Sequence, residues 1–542
     1  MADENAKFTF SYDDELKMAR VTSDSAFLFS SLVDVFTVAN PSYFYLEKKG
    51  ISYADDTFSA ISPMGSFQIG MFPLVYVSAL KIVGNDKSRI SISDEDKRKI
   101  GEQCFPLKNV VSPEYEISSL NDDYELRWYQ REGVTSLMTH GRGICVSPTG
   151  SGKSLMIATL VNEIRRLGFP KMGERKHIIL IVPTRQLVDQ MAADFDSYGL
   201  KDYSMFTSNS GSKKSGTFKD NSCSEGFNNL IITNHAWIID KYKNKGFPLK
   251  EIGCTIADEV HTVSRGTKIL KVVKKIDSVL RFGFTGTLPS FIFDKWTNFG
   301  TFGITVFQTD IQKLQKEEFL SNIEIMPIHC VIRNVDNKLP FSLSRSRARL
   351  NDVLEDGTVV DIGTAYAKEL EYNERNCSKM WMPVFERISE DFDFESRNMV
   401  VLFDRLNVGK TLYSELKDRF QSANVFYIDG NIDVSVREGI RKSLEERSGN
   451  ILIAQTVTAS VGLNIKNLNG IVFAFSGRSY VRIIQSIGRV IRKKKDKSVA
   501  KLYEVWYNLK YSTKHHGEKM EILADNYGEK SIRDAVTMEI EV

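Results

Sequence analysis

Residues 147–154 read Ser147-Pro148-Thr149-Gly150-Ser151-Gly152-Lys153-Ser154. The apolar triplet Ile144-Cys145-Val146 stands before them, and helical spacing runs on from Leu155 to Leu167. A strand, a glycine-rich loop and a helix in that order make a phosphate-binding loop. Glycines let backbone N–H groups curl around a phosphate, and the helix N-terminus adds a favourable field. Thr149, Gly150, Ser151 and Gly152 therefore read as a cradle for ATP. Lys153 is placed to neutralise the β and γ phosphates, and the Ser154 hydroxyl to hold Mg²⁺. Ser147 stands where such loops commonly begin with glycine. A plain Gly/Ser turn would explain the loop alone, so the rest of the nucleotide chemistry must be sought elsewhere.

It is found about a hundred residues on, in Ile256-Ala257-Asp258-Glu259-Val260-His261. An apolar strand ending in paired acids suits a Mg²⁺-bound triphosphate. Asp258 would reach the metal, largely through water, because Mg²⁺ gives up its hydration reluctantly. Glu259 would orient and deprotonate the attacking water. Asp-Glu after a strand is common by itself, since acids favour helix N-termini. Its pairing with the loop at 147–154 favours the catalytic reading. A third element is Gln485-Ser486-Ile487-Gly488-Arg489-Val490-Ile491-Arg492. Arg489 and Arg492 are three apart, so a helix turns both the same way. Planar guanidinium groups suit a γ-phosphate whose charge spreads in the transition state. Lys493-Lys494-Lys495 read as a solvated basic stretch and carry no catalytic role.

Working outward, short apolar runs alternate with longer amphipathic ones from Gly143 onward. Ile178 to Val182, Leu230 to Thr233, Thr255-Ile256-Ala257 and Phe282-Gly283-Phe284 read as buried strands. Gln186 to Tyr198 carries helical spacing. A second series runs through Met399 to Phe403, Val425 to Ile428, Ile451 to Ala454 and Gly470 to Phe475. Alternation of this kind implies parallel sheets covered on both faces. The expected fold class is α/β, two tandem RecA-like lobes at 121–325 and 396–510. A small N-terminal α+β accessory domain fills 1–120, with a helix starting near Pro73. Segment 326–395 reads as an inter-lobe linker with helical stretches, 511–542 as a C-terminal tail, and 206–226 as a polar loop.

Composition bounds the answer without naming it. The chain has 542 residues, 42% hydrophobic and 26% charged, an ordinary globular balance. Its 72 basic and 69 acidic residues leave a net charge of +3, so any polyanion surface must be a local patch. The six cysteines show no C-x-x-C pair, which points to reduced core thiols in an intracellular protein. The most apolar stretch, Met71 to Leu80, is about half the length that a bilayer needs. The acidic start Met1 to Asn5 is not a signal peptide. A cytoplasmic protein, or host-cytoplasmic if viral, with no membrane partner is expected.

Taken in order, these motifs resemble those of superfamily II helicases over residues 124–508, in the DExH form. Leu126-Arg127-Trp128-Tyr129-Gln130 resembles the adenine-reading Q motif, which implies that Arg127 and Gln130 meet the base. Val182 to Leu187 with Gln190 resembles motif Ia and Thr233-Asn234-His235 motif Ib. Thr285-Gly286-Thr287 resembles motif III, Val401-Leu402-Phe403 motif IV, Thr458 to Gly462 with Asn464 motif V, and Gln485 to Arg492 motif VI. The resemblance implies nucleic-acid contacts at Thr184, Arg185, Gln190, Thr233 and Thr458. It implies nucleotide contacts at Gly462 and Asn464, and coupling roles for His261, Thr285, Thr287 and Gln485. Asp429-Gly430 with Arg437-Glu438 adjoins these motifs.

Within that superfamily the chain resembles the phage UvsW-type branch-migration helicases. The likeness lies in Arg127 to Gln130, Tyr372-Asn373-Glu374-Arg375-Asn376 and Ser486 to Val490. Asn40-Pro41 and Gly70 to Leu80 are similar to that family's small DNA-binding domain. The family's loop Thr-Ser-Ala-Gly-Lys-Ser is Thr-Gly-Ser-Gly-Lys-Ser here. The resemblance implies ATP- and Mg²⁺-dependent remodelling of branched or forked DNA in recombination, repair or replication. Single-strand-binding or recombination proteins are implied partners, and RNA is a possible second substrate. Three alternatives stay open: a DEAD-box RNA helicase, a duplex translocase subunit of a restriction or remodelling complex, and a scaffold with a degenerate ATPase. Val260-His261 and Thr285-Gly286-Thr287 depart from the DEAD-box forms, and intact Lys153, Glu259, Arg489 and Arg492 oppose the scaffold.

Overall fold

The structure is a computed structural model that describes residues 5–43, 47, 55–112, 114–121, 123–168, 177–207, 230–244, 251–333, 362–456, 458, 465, 467–475, 477, 479–490 and 499–542. The chain divides into two compact units, one of residues 1–147 with 152–309, the other of residues 310–542 with 148–151.

The first unit opens with a mixed sheet of β1 (Phe8–Asp13), β2 (Met18–Ser23), β5 (Ser66–Gln68) and β6 (Ile90–Ile92), in the order β5-β2-β1-β6. Phe8 and Phe10 are buried and Thr9 is exposed, the period-2 alternation of a half-covered strand. A two-stranded piece, β3 (Thr37–Ala39) with β4 (Thr57–Ser59), lies beside it. The helix Phe72–Ile82 has proline in its first turn, as the sequence predicts. The helix Asp94–Cys104 is capped by Ser93, whose side chain accepts from the Asp96 amide, and three acids fill its first turn. Of the expected piece Tyr43 to Leu46, residues 44–46 lie outside the described residues.

A seven-stranded parallel sheet follows: β7 (Arg142–Val146), β8 (His177–Val182), β9 (Tyr203–Phe206), β10 (Leu230–Asn234), β11 (Ile252–Asp258), β12 (Leu280–Thr285) and β13 (Thr305–Gln308). Their order is β13-β7-β12-β11-β8-β10-β9. β7, β10, β11 and β12 are buried along their whole length, as a sheet covered on both faces requires. The N-terminal module is fixed to this sheet through the helix Ile292–Phe302. Trp296 of that helix is part of the module's own core with Phe8, Phe10 and Phe36, and its ring lies 5.5 Å from that of Phe36. Phe58 and Phe293 pair at 5.2 Å. Gly70 lets the backbones meet, because a Cβ there would fall 2.2 Å from the Phe299 carbonyl oxygen.

The second unit holds another seven-stranded parallel sheet: β14 (Asn322–Arg333), β15 (Met399–Phe403), β16 (Asn424–Ile428), β17 (Asn450–Gln455), β18 (Gly470–Ala474), β19 (Val499–Tyr507) and β20 (Val536–Glu541). The order is β16-β17-β15-β18-β19-β14-β20. Stretches read from sequence as linker and tail carry elements of this unit. β14 pairs along Asn322–Cys330 with β19, and β20 closes the edge against β14. The helix Cys377–Ser389 packs Met380, Trp381 and Phe385 into the same core. Residues 208–229, most of the polar loop, lie outside the described residues. Cys104, Cys145, Cys254, Cys330 and Cys377 are buried thiols, and Cys223 lies outside the described residues. Among the described residues no helix is long and apolar enough to cross a membrane.

Candidate nucleotide and metal site

The site is built at the C-terminal ends of the first sheet's strands, where parallel α/β sheets bind ligands. β7 runs into the loop at 147–154, and the helix Lys153–Arg166 begins directly after it. The Ser147 amide donates to the Thr285 carbonyl at 2.9 Å, so the loop is anchored to the neighbouring strand β12. Gly150 and Gly152 both have φ near +90°, a conformation that side chains resist. At Gly152 a Cβ would also stand 2.4 Å from Gln130 Nε2. Gln130 is itself buried, and its Oε1 accepts from the Arg127 amide at 3.0 Å. Arg127 donates to the Tyr129 hydroxyl at 3.0 Å. The Q-motif residues and the loop thus form one packed neighbourhood.

Lys153 Nζ donates to the Ser147 carbonyl at 3.3 Å, folded back over its own loop. Ser154 Oγ lies 3.0 Å from the Tyr198 hydroxyl, a partner that no motif announces. The only sequence signal for Tyr198 is its place at the end of the helical run Gln186 to Tyr198.

β11 delivers the paired acids two strands from β7. Asp258 is buried, and its Oδ1 accepts from the Glu259 amide at 2.9 Å. Burial first, and then the neighbouring Glu259 charge, hold the Asp258 carboxyl well above the usual carboxylate range, against the pull of Lys153. A divalent cation is the group that would reverse that shift. The donors here are hard oxygens, a carboxylate and the Ser154 hydroxyl, the set suited to Mg²⁺. Among the described residues no cluster of three or more His, Cys, Asp or Glu could cage a metal.

Glu259 has φ 50° and ψ 51°, left-handed for a non-glycine residue. Such strain is stored where function over-determines the backbone. It turns the chain so that His261 returns beneath β12. His261 Nδ1 lies 2.9 Å from Thr285 Oγ1 and 3.3 Å from Glu259 Oε2. Thr285 Oγ1 donates to the Thr287 carbonyl at 2.7 Å, which leaves it to accept from His261. The imidazole therefore carries its proton on Nδ1 in this arrangement. Burial lowers the His261 pKa, the Glu259 charge opposes that, and Lys153 adds to the lowering. Thr285 and Thr287 are both buried. Three residues expected to couple hydrolysis to strand contact thus share one hydrogen-bonded cluster with Glu259.

Residues 123–290 match the family model "Type III restriction enzyme, res subunit", and residues 388–494 match "Helicase conserved C-terminal domain". The chain is 25% identical over 442 residues to the ATP-dependent DNA helicase uvsW of Enterobacteria phage T4, covering 77% of this chain and 79% of that protein. It is 22% identical over 421 residues to Putative helicase 22 of Sulfolobus islandicus filamentous virus (isolate Iceland/Hveragerdi), covering 76% and 69%. The chain belongs to the superfamily II helicases, of the UvsW-like kind. It is an ATP-hydrolysing helicase. The fold is shared with a fragment of a putative HsdR subunit of a type I restriction enzyme from Vibrio vulnificus YJ016, at 15% identity and TM-score 0.53 over 83% of this chain and 75% of that one.

The remaining helicase motifs are placed as follows. Thr184 caps the helix Arg185–Ser197, its side chain accepting from the Leu187 amide, with Arg185 exposed and Gln190 half-buried beyond it. Thr233, expected to touch nucleic acid, is fully buried in β10, its Oγ1 bonded to the Asn234 carbonyl. Its place at the end of an all-buried strand is the reason, and it offers no surface to a ligand. In the second unit Gln485 is buried on the helix Tyr480–Val490, which also carries Arg489. Thr458 is half-buried. Gly462, Asn464 and Arg492 lie outside the described residues, as does the Arg489 side chain. Sequence motifs also passed over Asn298, whose Nδ2 donates to the carbonyls of Val260 and Val263 and holds the loop after Glu259 in place.

Proposed function

We propose that this helicase is an ATP-dependent DNA helicase or translocase that remodels branched DNA, such as forks, junctions and D- or R-loops. The observation that carries the reading is the likeness to the T4 ATP-dependent DNA helicase, which spans both units and not one lobe alone. In this reading Lys153 neutralises the β and γ phosphates. Ser154 and Asp258 hold a Mg²⁺, which screens the triphosphate charge when bound. Glu259 takes the proton of the attacking water. Arg489 and Arg492 supply positive charge to the γ-phosphate, and Gly462 and Asn464 complete the nucleotide contacts. His261, Thr285, Thr287 and Gln485 report hydrolysis to the strand-binding surface. Thr184, Arg185, Gln190 and Thr458 meet the nucleic-acid backbone, while Arg127 and Gln130 read adenine.

The N-terminal module selects the branched structure, and recombination, repair or replication in the host cytoplasm is the setting, with single-strand-binding or recombination proteins as partners. A second reading, translocation on duplex without strand separation, is favoured by the match of residues 123–290 to the type III restriction enzyme res subunit family. Strand displacement on labelled forks and four-way junctions separates the two. ATP-dependent release of strands, absent in Glu259→Gln, supports the first. Displacement of a triplex-forming strand from plain duplex, with forks left intact, supports the second.

A further inference from the structure

We infer that the cleft between the N-terminal module and the start of β7 and β12 is a binding site for a phosphate group, with Arg142 at its base. Arg142 is the first residue of β7, only 5% exposed, and its Nε is buried without an acceptor. Among the described residues no carboxylate or carbonyl pairs with its guanidinium. Burying that Nε is costly, because it has lost water and gained no acceptor.

The contrast with Arg281, equally buried on the adjacent strand β12, is sharp. Its guanidinium donates to the carbonyls of Ser278, Val273 and Ile276 and is satisfied within the chain. Nor do the acids near Arg142 neutralise it. Burial pushes the Cys104 thiol up to about 12 and the Tyr12 phenol up to about 12, so both stay protonated. Arginine does not lose its proton in proteins. The charge is therefore waiting for an anion.

The space for one is present. Arg142 lines a cavity of about 410 Å³ between the module and the lobe. Of the charged groups around it, Lys17 is paired with Asp277 at 2.5 Å. That leaves Arg142, Arg281, Lys274 and Lys275 against Glu15 alone. Lys274 and Lys275 are exposed, and lie where a bound oxyanion would meet solvent. A tetrahedral oxyanion with several acceptors matches a guanidinium with five donors. The site is not the nucleotide site. Arg142 begins β7 and Ser147 follows its end, so the strand puts roughly 15 Å between them. The phosphate can belong to a nucleic-acid backbone or be free in solution.

The test is thermal melting of the full chain against inorganic phosphate at fixed ionic strength. Lys153→Ala serves as the background, to remove any response of the nucleotide loop. Phosphate is expected to raise the melting temperature by several degrees in Lys153→Ala and not at all in Lys153→Ala with Arg142→Met. In the absence of phosphate Arg142→Met is expected to melt at or above the parent, since it removes a buried unpaired charge. Lys274→Ala with Lys275→Ala should weaken the phosphate response several-fold without changing the phosphate-free melt, which keeps the proposal testable should Arg142→Met not fold. An equal phosphate response with and without Arg142, no response in the parent, or an undiminished response in Lys274→Ala with Lys275→Ala would each overturn it. The source is read in a second arm. If phosphate competes with DNA binding in the parent and not in Arg142→Met, the occupant is a backbone phosphate. If DNA and phosphate bind independently, while Arg142→Met still abolishes the melting response, the occupant is free phosphate.

Discussion

Asn298 donates from Nδ2 to the Val263 carbonyl at 2.9 Å, and to that of Val260 at 3.2 Å. The side chain is fully buried, so these bonds have no water to replace them. Asn298→Ala should leave the buried Val263 carbonyl without a donor, while that of Val260 keeps the Val263 amide, and destabilise the fold by about 1–3 kcal/mol. It should also loosen the loop carrying Glu259, lowering kcat about tenfold or more with KM for ATP little changed. Melting curves and steady-state ATPase of the variant check both halves. A KM effect without a kcat effect would separate Asn298 from the catalytic loop.

Lys153→Ala and Glu259→Gln should each abolish turnover while leaving nucleic-acid binding largely intact. In this account both side chains act on phosphate or water, whereas the exposed Arg185 faces the nucleic acid. Fluorescence anisotropy with a labelled fork, beside an ATPase assay, gives the two numbers. Near-normal hydrolysis in either variant would remove that residue from the site.

Arg489→Ala and Arg492→Ala should each slow hydrolysis on the order of a thousandfold, with ATP affinity nearly kept, because charge supplied late acts on the transition state. Binding of a fluorescent ATP analogue, set against kcat, distinguishes this from a ground-state contact. Weaker binding at unchanged kcat is the result that counts against it.

Affinity for DNA should fall steeply with salt, as counterions released by phosphate contacts demand. Arg185→Ala should weaken binding and make the salt slope shallower by about one. Thr233→Ala should leave that slope unchanged, because Thr233 is buried in β10. Titrations at several salt concentrations decide both.

The strand, loop and helix around Lys153 were legible because each is local: an apolar run, a glycine loop and a 3.6-residue period. Five strands of the first sheet and four of the second were legible for the same reason. β9, β13 and β19 were passed over, as were β14 and β20, whose partners lie far along the chain, so that only tertiary pairing shows that 322–333 and 536–541 flank one another. Trp296 is the clearest case of hidden information. It sits within the first lobe in sequence, yet its ring completes the core of the N-terminal module. Removing residues 1–120 would expose Trp296 and Phe293 and disturb the helix that bears Asn298, so substitutions on the module test its role more cleanly than truncation. Asn298 and Tyr198 escaped motif reading because each acts through one contact whose spacing no motif encodes.

The central claim is that ATP hydrolysis by this helicase is coupled to branched DNA. ATPase rate measured in parallel with single-stranded, duplex, forked and four-way DNA, and with RNA, tests it most directly. The account predicts the highest stimulation with forks and four-way junctions, less with single strands or duplex, little with RNA, and none with any of them in Glu259→Gln. Stimulation by RNA equal to or above that by branched DNA would contradict it.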